Sequence, residues 1–170
     1  MKKKYIKINK QMPDPWGYKI EYDKFFEYVD IPHPPEEFIL QIEEIKKMPN
    51  KNTNLSSFYG SCVAPKKLQQ WVNKFIPNNT EVRYHWMTND LHVHVDYVRI
   101  ECWNYILDLG GSNTYTCFYD NNFNVKEKHF IKPKQWHWLS VGNLHKACNL
   151  ENIRYGITVS GKRGTRNYQC

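Results

Sequence analysis

Residues 91–96 read Leu-His-Val-His-Val-Asp, so apolar and polar side chains alternate along this stretch. Because successive side chains of a β-strand point to opposite faces, a strand over residues 91–98 would place His92, His94 and Asp96 on one face. In a β-sandwich that face would be turned inward, where a carboxylate is costly unless it is paired or bound to a metal. The stretch therefore predicts a β-strand that carries candidate metal ligands.

Short alternations of the same kind, rich in Val, Ile, Tyr, Thr and Trp, occupy the chain from Thr80 onward. They predict strands near residues 81–87, 91–98, 102–109, 114–119, 125–131, 136–141 and 153–159. Breaks are predicted at residues 110–111, at residues 120–122 and around residues 142–143, where Gly, Asn and Asp cluster. Short strands at this spacing predict a mostly β fold of the sandwich or jelly-roll type.

Two helices are predicted ahead of these strands. Glutamates at positions 36 and 37 follow a pair of prolines, which is typical of a helix start, and apolar residues then recur at helical spacing as far as Ile45. A second helix is predicted to open at Pro65 and to stop at Pro77. Both are expected to cover one sheet from outside, whereas the first thirty residues look irregular.

The length of 170 residues suits a single domain. We expect an N-terminal segment with the supporting helices (1–79), a β core (80–160) and a basic tail (161–170). The net charge of +7 is concentrated at the two ends: residues 1–10 hold five lysines, residues 161–170 hold three basic side chains, and neither segment holds an acid. Removing these eight charges leaves −1. This distribution argues against a dedicated nucleic-acid groove, because phosphate binding needs clustered Lys and Arg.

The five cysteines are odd in number and include no Cys-x-x-Cys pair, which argues against a disulfide framework and a zinc ribbon. Reduced thiols in the cytoplasm are the simplest interpretation. No apolar run approaches the roughly 18 residues of a membrane span, and no apolar segment follows the N-terminal lysines. We therefore expect a cytoplasmic protein without a membrane partner.

Two further residues extend the candidate site. His145 lies 51 residues after His94, and Arg154 follows nine residues later. A histidine and a carboxylate two positions apart on a strand, with a third ligand from another strand, form the two-His-one-carboxylate arrangement of non-haem iron(II) oxygenases. Arg154 shares a strand face with Thr158, and an arginine is suited to bidentate capture of a carboxylate.

The order and spacing of His94-x-Asp96, His145 and Arg154 resemble those of the 2-oxoglutarate/iron(II)-dependent dioxygenases. Residues 154–159, Arg-Tyr-Gly-Ile-Thr-Val, are most similar to the closing core strand of prolyl hydroxylases. The resemblance covers residues 80–160 and implies a double-stranded β-helix core. It implies an enzyme that uses Fe(II), 2-oxoglutarate and O₂ to hydroxylate a C–H bond, releasing succinate and CO₂.

The same resemblance implies a role for each site residue. His94, Asp96 and His145 would hold the iron. The distal carboxylate of 2-oxoglutarate would be held by Arg154 and Thr158, with Tyr105 as their helper or, in a register shifted by one, Asn104. The expected substrate is a peptide or protein side chain, with small molecules as an alternative, and the candidate substrate-binding residues are Arg99, His92 and Trp138.

Two other classes of protein stay open. A non-catalytic jelly-roll module, for carbohydrate binding or virion structure, would need none of these residues in this order. A cupin-type metal enzyme without 2-oxoglutarate would use His92 as a further ligand, although Val98 and Arg99 stand where its glutamate is expected. The AlkB-type nucleic-acid demethylases carry a second arginine where this chain has Ser160, and prolyl hydroxylases place their Gly-Gly pair later than Gly110-Gly111.

Overall fold

A computed structural model of the chain describes residues 4–7, 18–21, 24–46, 59–96 and 99–161. Two helices precede most of the strands: α1 (Glu36–Lys46) and α2 (Lys66–Asn73). The strands are β1 (Lys4–Lys7), β2 (Tyr18–Glu21), β3 (Phe26–Tyr28), β4 (Tyr59–Val63), β5 (Glu81–Met87), β6 (Cys102–Asp108), β7 (Tyr115–Tyr119), β8 (Val125–Phe130), β9 (Trp136–Leu139), β10 (His145–Cys148) and β11 (Arg154–Ser160). The described chain is therefore mostly β, as the sequence predicted.

The strands form two sheets that face each other, and β1 pairs separately with β2. The larger sheet has six strands in the order β3-β9-β6-β11-β5-β4, and the smaller has three in the order β10-β7-β8; every neighbouring pair is antiparallel. Phe118 of the smaller sheet packs with Cys102 and Leu139 of the larger one. Two facing antiparallel sheets leave an inner face on each, and the candidate site lies between them.

Both helices cover the outer face of the six-stranded sheet. Leu68 and Val72 of α2 and Phe38 of α1 are buried in one apolar cluster with the outward-facing side chains of the sheet. Two polar contacts fix the helices: the hydroxyl of Tyr84 on β5 donates to the Phe38 carbonyl at 3.3 Å, and the Val82 amide donates to Gln69 of α2 at 2.9 Å. Neither helix is long and apolar enough to cross a membrane, among the residues that the structure describes.

Most predicted strands appear within a residue or two of their expected bounds, and the predicted breaks fall between strands. The strand over 91–98 was a wrong prediction, because the described part of this segment makes only an isolated bridge at His94. The expectation that residues 1–30 are irregular was also wrong, because β1, β2 and β3 lie there. The strands β4 and β10 were not predicted. Residues 162–170, most of the expected basic tail, lie outside the described residues.

Candidate metal centre and anion cavity

His94, Asp96 and His145 converge in the structure, as their sequence pattern predicted. One potential ligand atom from each lies within 4.8 Å of the others. The Nε2 atom of His94 is 3.5 Å from Oδ1 of Asp96, and the two imidazole rings lie 4.4 Å apart between centroids. The donor set of two imidazoles and one carboxylate fits a divalent first-row metal, and iron(II) is the usual occupant of this triad.

The backbone brings the three residues together although residues 91–96 form no extended strand. His94 and His145 exchange two backbone hydrogen bonds, of 3.1 and 2.9 Å, in an antiparallel bridge. Two residues further, the Asp96 amide donates to the carbonyl of Val141 at 2.9 Å. The segment thus runs along the edge of the smaller sheet beside β10, which presents His94 and Asp96 to the same space as His145.

Backbone carbonyls set the tautomer of both histidines. Nδ1 of His94 lies 2.7 Å from the His92 carbonyl oxygen, and Nδ1 of His145 lies 2.9 Å from the Asn143 carbonyl oxygen. A carbonyl can only accept, so each Nδ1 carries the proton and each Nε2 keeps its lone pair. Such outer partners orient the ligating nitrogen in metal sites. The two imidazoles are therefore arranged as metal ligands before any metal binds.

Arg99 holds the carboxylate of Asp96 in place. Its Nε donates to Oδ2 of Asp96 at 2.6 Å, and its Nη1 donates to the Thr158 hydroxyl at 2.8 Å. Burial acts to raise the pKa of Asp96, but Arg99 and the two histidines outweigh burial and hold that pKa well below its usual range. Asp96 is thus ionised, with one oxygen tied to Arg99 and the other, Oδ1, turned toward His94.

The two histidines titrate differently. Burial lowers the pKa of His145 to about 4, in spite of the opposing effect of Asp96. Burial also acts to lower the pKa of His94, but its hydrogen bond and charge interaction with Asp96 prevail and raise it. Near neutral pH His145 is therefore a neutral ligand, whereas a proton competes with a metal at His94.

The triad opens into a cavity of about 560 Å³ between the sheets, and Arg154 lines the same cavity. This guanidinium is only 2% exposed, and its Nε and Nη1 atoms have no hydrogen-bond partner among the described residues. Burial lowers the pKa of Arg154 to about 10, which leaves it charged at neutral pH. A buried cation with two unused donors is suited to receive an anion from the cavity.

The structure brings some of the other predicted residues to the cavity and not others. Asn104, Thr158 and Arg99 line it. Tyr105 points to the opposite face of β6, where it is buried in the helix-covered cluster and its hydroxyl lies 2.7 Å from Nδ1 of His33. The alternative register, with Asn104 facing the site, is the one observed.

Two candidate substrate-binding residues also lie elsewhere. Trp138 on β9 pairs with Trp103 on the neighbouring strand β6, and Trp103 packs on the helix-covered cluster. The indole N–H of Trp138 donates to Glu101 at 3.2 Å. The side chain of His92 is exposed and does not line the cavity, so it is not placed as a further ligand of the cupin kind. Both placements follow from backbone geometry: strand alternation for Trp138, and for His92 the absence of an extended strand over the described residues 91–96.

The larger sheet also carries two inward-facing histidines: His85, which the sequence did not single out, and His137, which was predicted to be a surface or packing residue. Both are buried, and each has a ring nitrogen without a hydrogen-bond partner among the described residues. In residues 81–87, Glu-Val-Arg-Tyr-His-Trp-Met, His85 alternates with Tyr84 and Trp86. That alternation places His85 on the opposite face of the strand from Tyr84 and Trp86, but it does not by itself indicate that this face is turned inward.

Comparisons of the chain with models of known protein families and with curated proteins found no match. The assignment of function therefore depends on the geometry of the site.

Proposed function

We propose that this protein is a non-haem iron(II) oxygenase that uses 2-oxoglutarate as cosubstrate and hydroxylates a substrate C–H bond. The observation that carries the proposal is the buried guanidinium of Arg154, two of whose donors have no partner among the described residues, in the same cavity as the His-Asp-His triad. A purely structural metal site would have no need of Arg154. A buried arginine with unused donors beside it calls for an anionic ligand that reaches both.

The chemistry of the triad supports this class of metal enzyme. A metal held by His94, Asp96 and His145 alone would keep positions open for a cosubstrate and O₂. The described residues offer no further His, Cys, Asp or Glu that completes a closed metal site at the triad. Open positions are typical of catalytic rather than structural metal centres.

The charge of 2-oxoglutarate supports it as cosubstrate. Its keto oxygen and near carboxylate would chelate the metal, and its far carboxylate would form a bidentate ion pair with Arg154. Bound iron(II) would supply the activation of O₂, with the oxidation of 2-oxoglutarate to succinate and CO₂ coupled to hydroxylation. The fold we propose is the double-stranded β-helix that the sequence resemblance implies, with the two facing sheets as its halves.

The chain's own residues would position the reactants and exclude water. Arg99 holds Asp96 in a fixed orientation, and the carbonyls of His92 and Asn143 hold the two imidazoles. Apolar side chains, among them Val95, Leu139 and Val141, line the cavity around these ligands. Apolar lining of this kind would limit the access of water to a reactive metal centre.

The substrate we propose is a peptide or protein side chain, because residues 154–159 resemble the corresponding strand of prolyl hydroxylases. Small molecules are the alternative. Succinate formation driven by candidate peptides, set against that driven by free amino acids, distinguishes the two.

An anaerobic titration tests the proposed function. Apo-protein receives iron(II) and then 2-oxoglutarate, and the visible charge-transfer band of the chelate is recorded. The band should appear in the native protein and in His92→Ala, disappear in His94→Ala, and weaken in Arg154→Ala. His92→Ala is the matched control, because its exposed side chain is two residues from His94 and takes no part in the cavity. Absence of the band in the folded native protein would refute the proposal.

A further inference from the structure

His85 is a second buried polar group of the cavity without a partner. It lies on β5, is 3% exposed and lines the cavity. Neither of its ring nitrogens has a hydrogen-bond partner among the described residues. A neutral imidazole has one N–H donor and one acceptor, and buried groups of this kind are normally satisfied. Both nitrogen atoms are therefore available to form hydrogen bonds with a ligand.

The sheet register sets His85 beside Arg154. On the neighbouring strand β11, His85 pairs with Gly156, and Arg154 lies two residues before that glycine on the same inner face. Gly156 has no side chain to cover the imidazole. A Cβ there would lie 2.5 Å from the backbone oxygen of Tyr105, so the close approach of β6 keeps this position bare.

The electrostatics agree with this placement. Burial is the main cause that lowers the pKa of His85 well below its usual range, and the charge of Arg154 is the next. Near neutral pH His85 is therefore neutral, whereas Arg154 is charged. It cannot repel the guanidinium strongly, and it keeps an N–H to donate.

We propose that His85 and Arg154 together form one carboxylate-binding site, in which the imidazole N–H of His85 and the guanidinium of Arg154 donate to the same carboxylate. The inference rests on the proposed function and deepens it: the ligand is a 2-oxo dicarboxylic acid whose far carboxylate takes both donors. A carboxylate has lone pairs enough for all three unused donors, the Nε and Nη1 of Arg154 and the N–H of His85. His85 thus makes the site selective for dicarboxylates over monocarboxylates.

The test measures binding without turnover. The protein is loaded anaerobically with manganese(II), and calorimetry gives the dissociation constants of 2-oxoglutarate and of 2-oxopentanoate, which has the same 2-oxo acid end but no far carboxylate. His85→Phe keeps a ring without its N–H, and His85→Gln restores an N–H donor. His137→Phe is the matched control: His137 is equally buried and also has an unpartnered ring nitrogen, but it does not line the cavity.

We expect His85→Phe to weaken 2-oxoglutarate by about tenfold or more, the usual effect of losing a hydrogen bond to a charged group, and to leave 2-oxopentanoate unchanged. His85→Gln should recover most of the loss, and His137→Phe should bind like the native protein. Native affinity for 2-oxoglutarate in His85→Phe overturns the role of His85 and leaves the proposed function standing. Equal weakening of both acids also overturns it, because His85 would then only shape the cavity. A native protein that binds manganese but neither acid overturns both proposals.

Discussion

Arg154 is a buried cation that is only partly compensated among the described residues. Its charge lies within the protein, and two of its donors have no partner among the described residues. An unsatisfied buried polar group costs about 1–3 kcal/mol. Natural proteins retain such a group when function requires it, so stability and ligand binding should change in opposite directions at this position.

Replacement of Arg154 by Met should therefore stabilise the apo-protein while it abolishes binding of 2-oxoglutarate. The expected gain is about 1–3 kcal/mol in the free energy of unfolding, measured by urea denaturation. Arg83→Met is the control, because Arg83 already donates to Glu81 and to the Ser61 hydroxyl and should give no such gain. A clear loss of stability in Arg154→Met would show that Arg154 is satisfied in the apo-protein.

Metal affinity should depend on pH through His94. The pKa of His94 is raised, whereas that of His145 is lowered to about 4, so only His94 must release a proton when a metal binds near neutral pH. Below the pKa of His94, the log of the affinity should rise with pH by about one unit per pH unit, and it should level off above. Zinc titrations from about pH 5.5 to 8 measure this slope. A change of about two log units of affinity per pH unit, or no dependence on pH, would contradict the assignment of His94 as the one ligand that releases a proton.

The sequence predicted which residues meet at the candidate metal centre better than it predicted the orientation of their neighbours. His94, Asp96, His145 and Arg154 share the cavity as expected. Tyr105 does not, because side-chain direction in a strand reverses with a register shift of one residue, and nothing in the sequence fixes that register.

At the scale of single elements, strands with clear alternation could be predicted and irregular ones could not. The four-residue strand β10 is too short to show a pattern, and β4 carries Gly60 where a side chain would meet the Trp86 ring. Residues 91–96 alternate as a strand does, yet only His94 forms a bridge there. Alternation in sequence reflects which side chains are buried, and a segment at a sheet edge can meet that requirement without continuous pairing.

The central strand β11 contains a position that tests how tightly the larger sheet is packed. In Gly156→Ala the new Cβ would lie 2.5 Å from the Tyr105 carbonyl oxygen and 3.0 Å from Cα of Ile106. The backbone of β6 must move, so we expect a loss of about 1–3 kcal/mol in the free energy of unfolding. Val125→Ala, on the exposed edge strand β8, should cost less than about 0.5 kcal/mol. Urea denaturation that gives equal values for the two variants would contradict the close approach.

At the scale of the whole molecule, the two faces of the larger sheet have different tasks. The outer face packs on both helices through one apolar cluster. The inner face carries His85, Asn104 and Arg154, which line the cavity, each with a buried polar atom lacking a partner in the described part of the chain. The helix-covered face thus supplies stability, and the inner face gives up part of it to keep groups available for ligands.

The inward-facing histidines predict how the apo-protein responds to acid. Burial lowers the pKa of His145 to about 4 and of His137 to about 3, and it lowers that of His85 as well. In the unfolded chain these groups bind protons with the usual histidine pKa of about 6.5, whereas in the folded protein they do so only at lower pH. Their contribution to stability is therefore complete above about pH 6.5 and is lost as the pH falls toward their folded values. The carboxyl of Asp96 has a pKa of 3.8 in the unfolded chain and a lower pKa in the folded protein, so it contributes to this loss of stability only at lower pH.

The free energy of unfolding of the apo-protein should accordingly fall between about pH 6 and 4.5, with a slope approaching 1.4 kcal/mol per pH unit for each of the three histidines. Urea denaturation across this range measures the slope. His137→Phe should reduce it by about a third, since one of the three groups no longer titrates. His92→Ala, an exposed control, should leave it unchanged. A flat profile in the native protein would mean that water or a bound ion already partners these histidines, and that the inner face is not held open for a ligand.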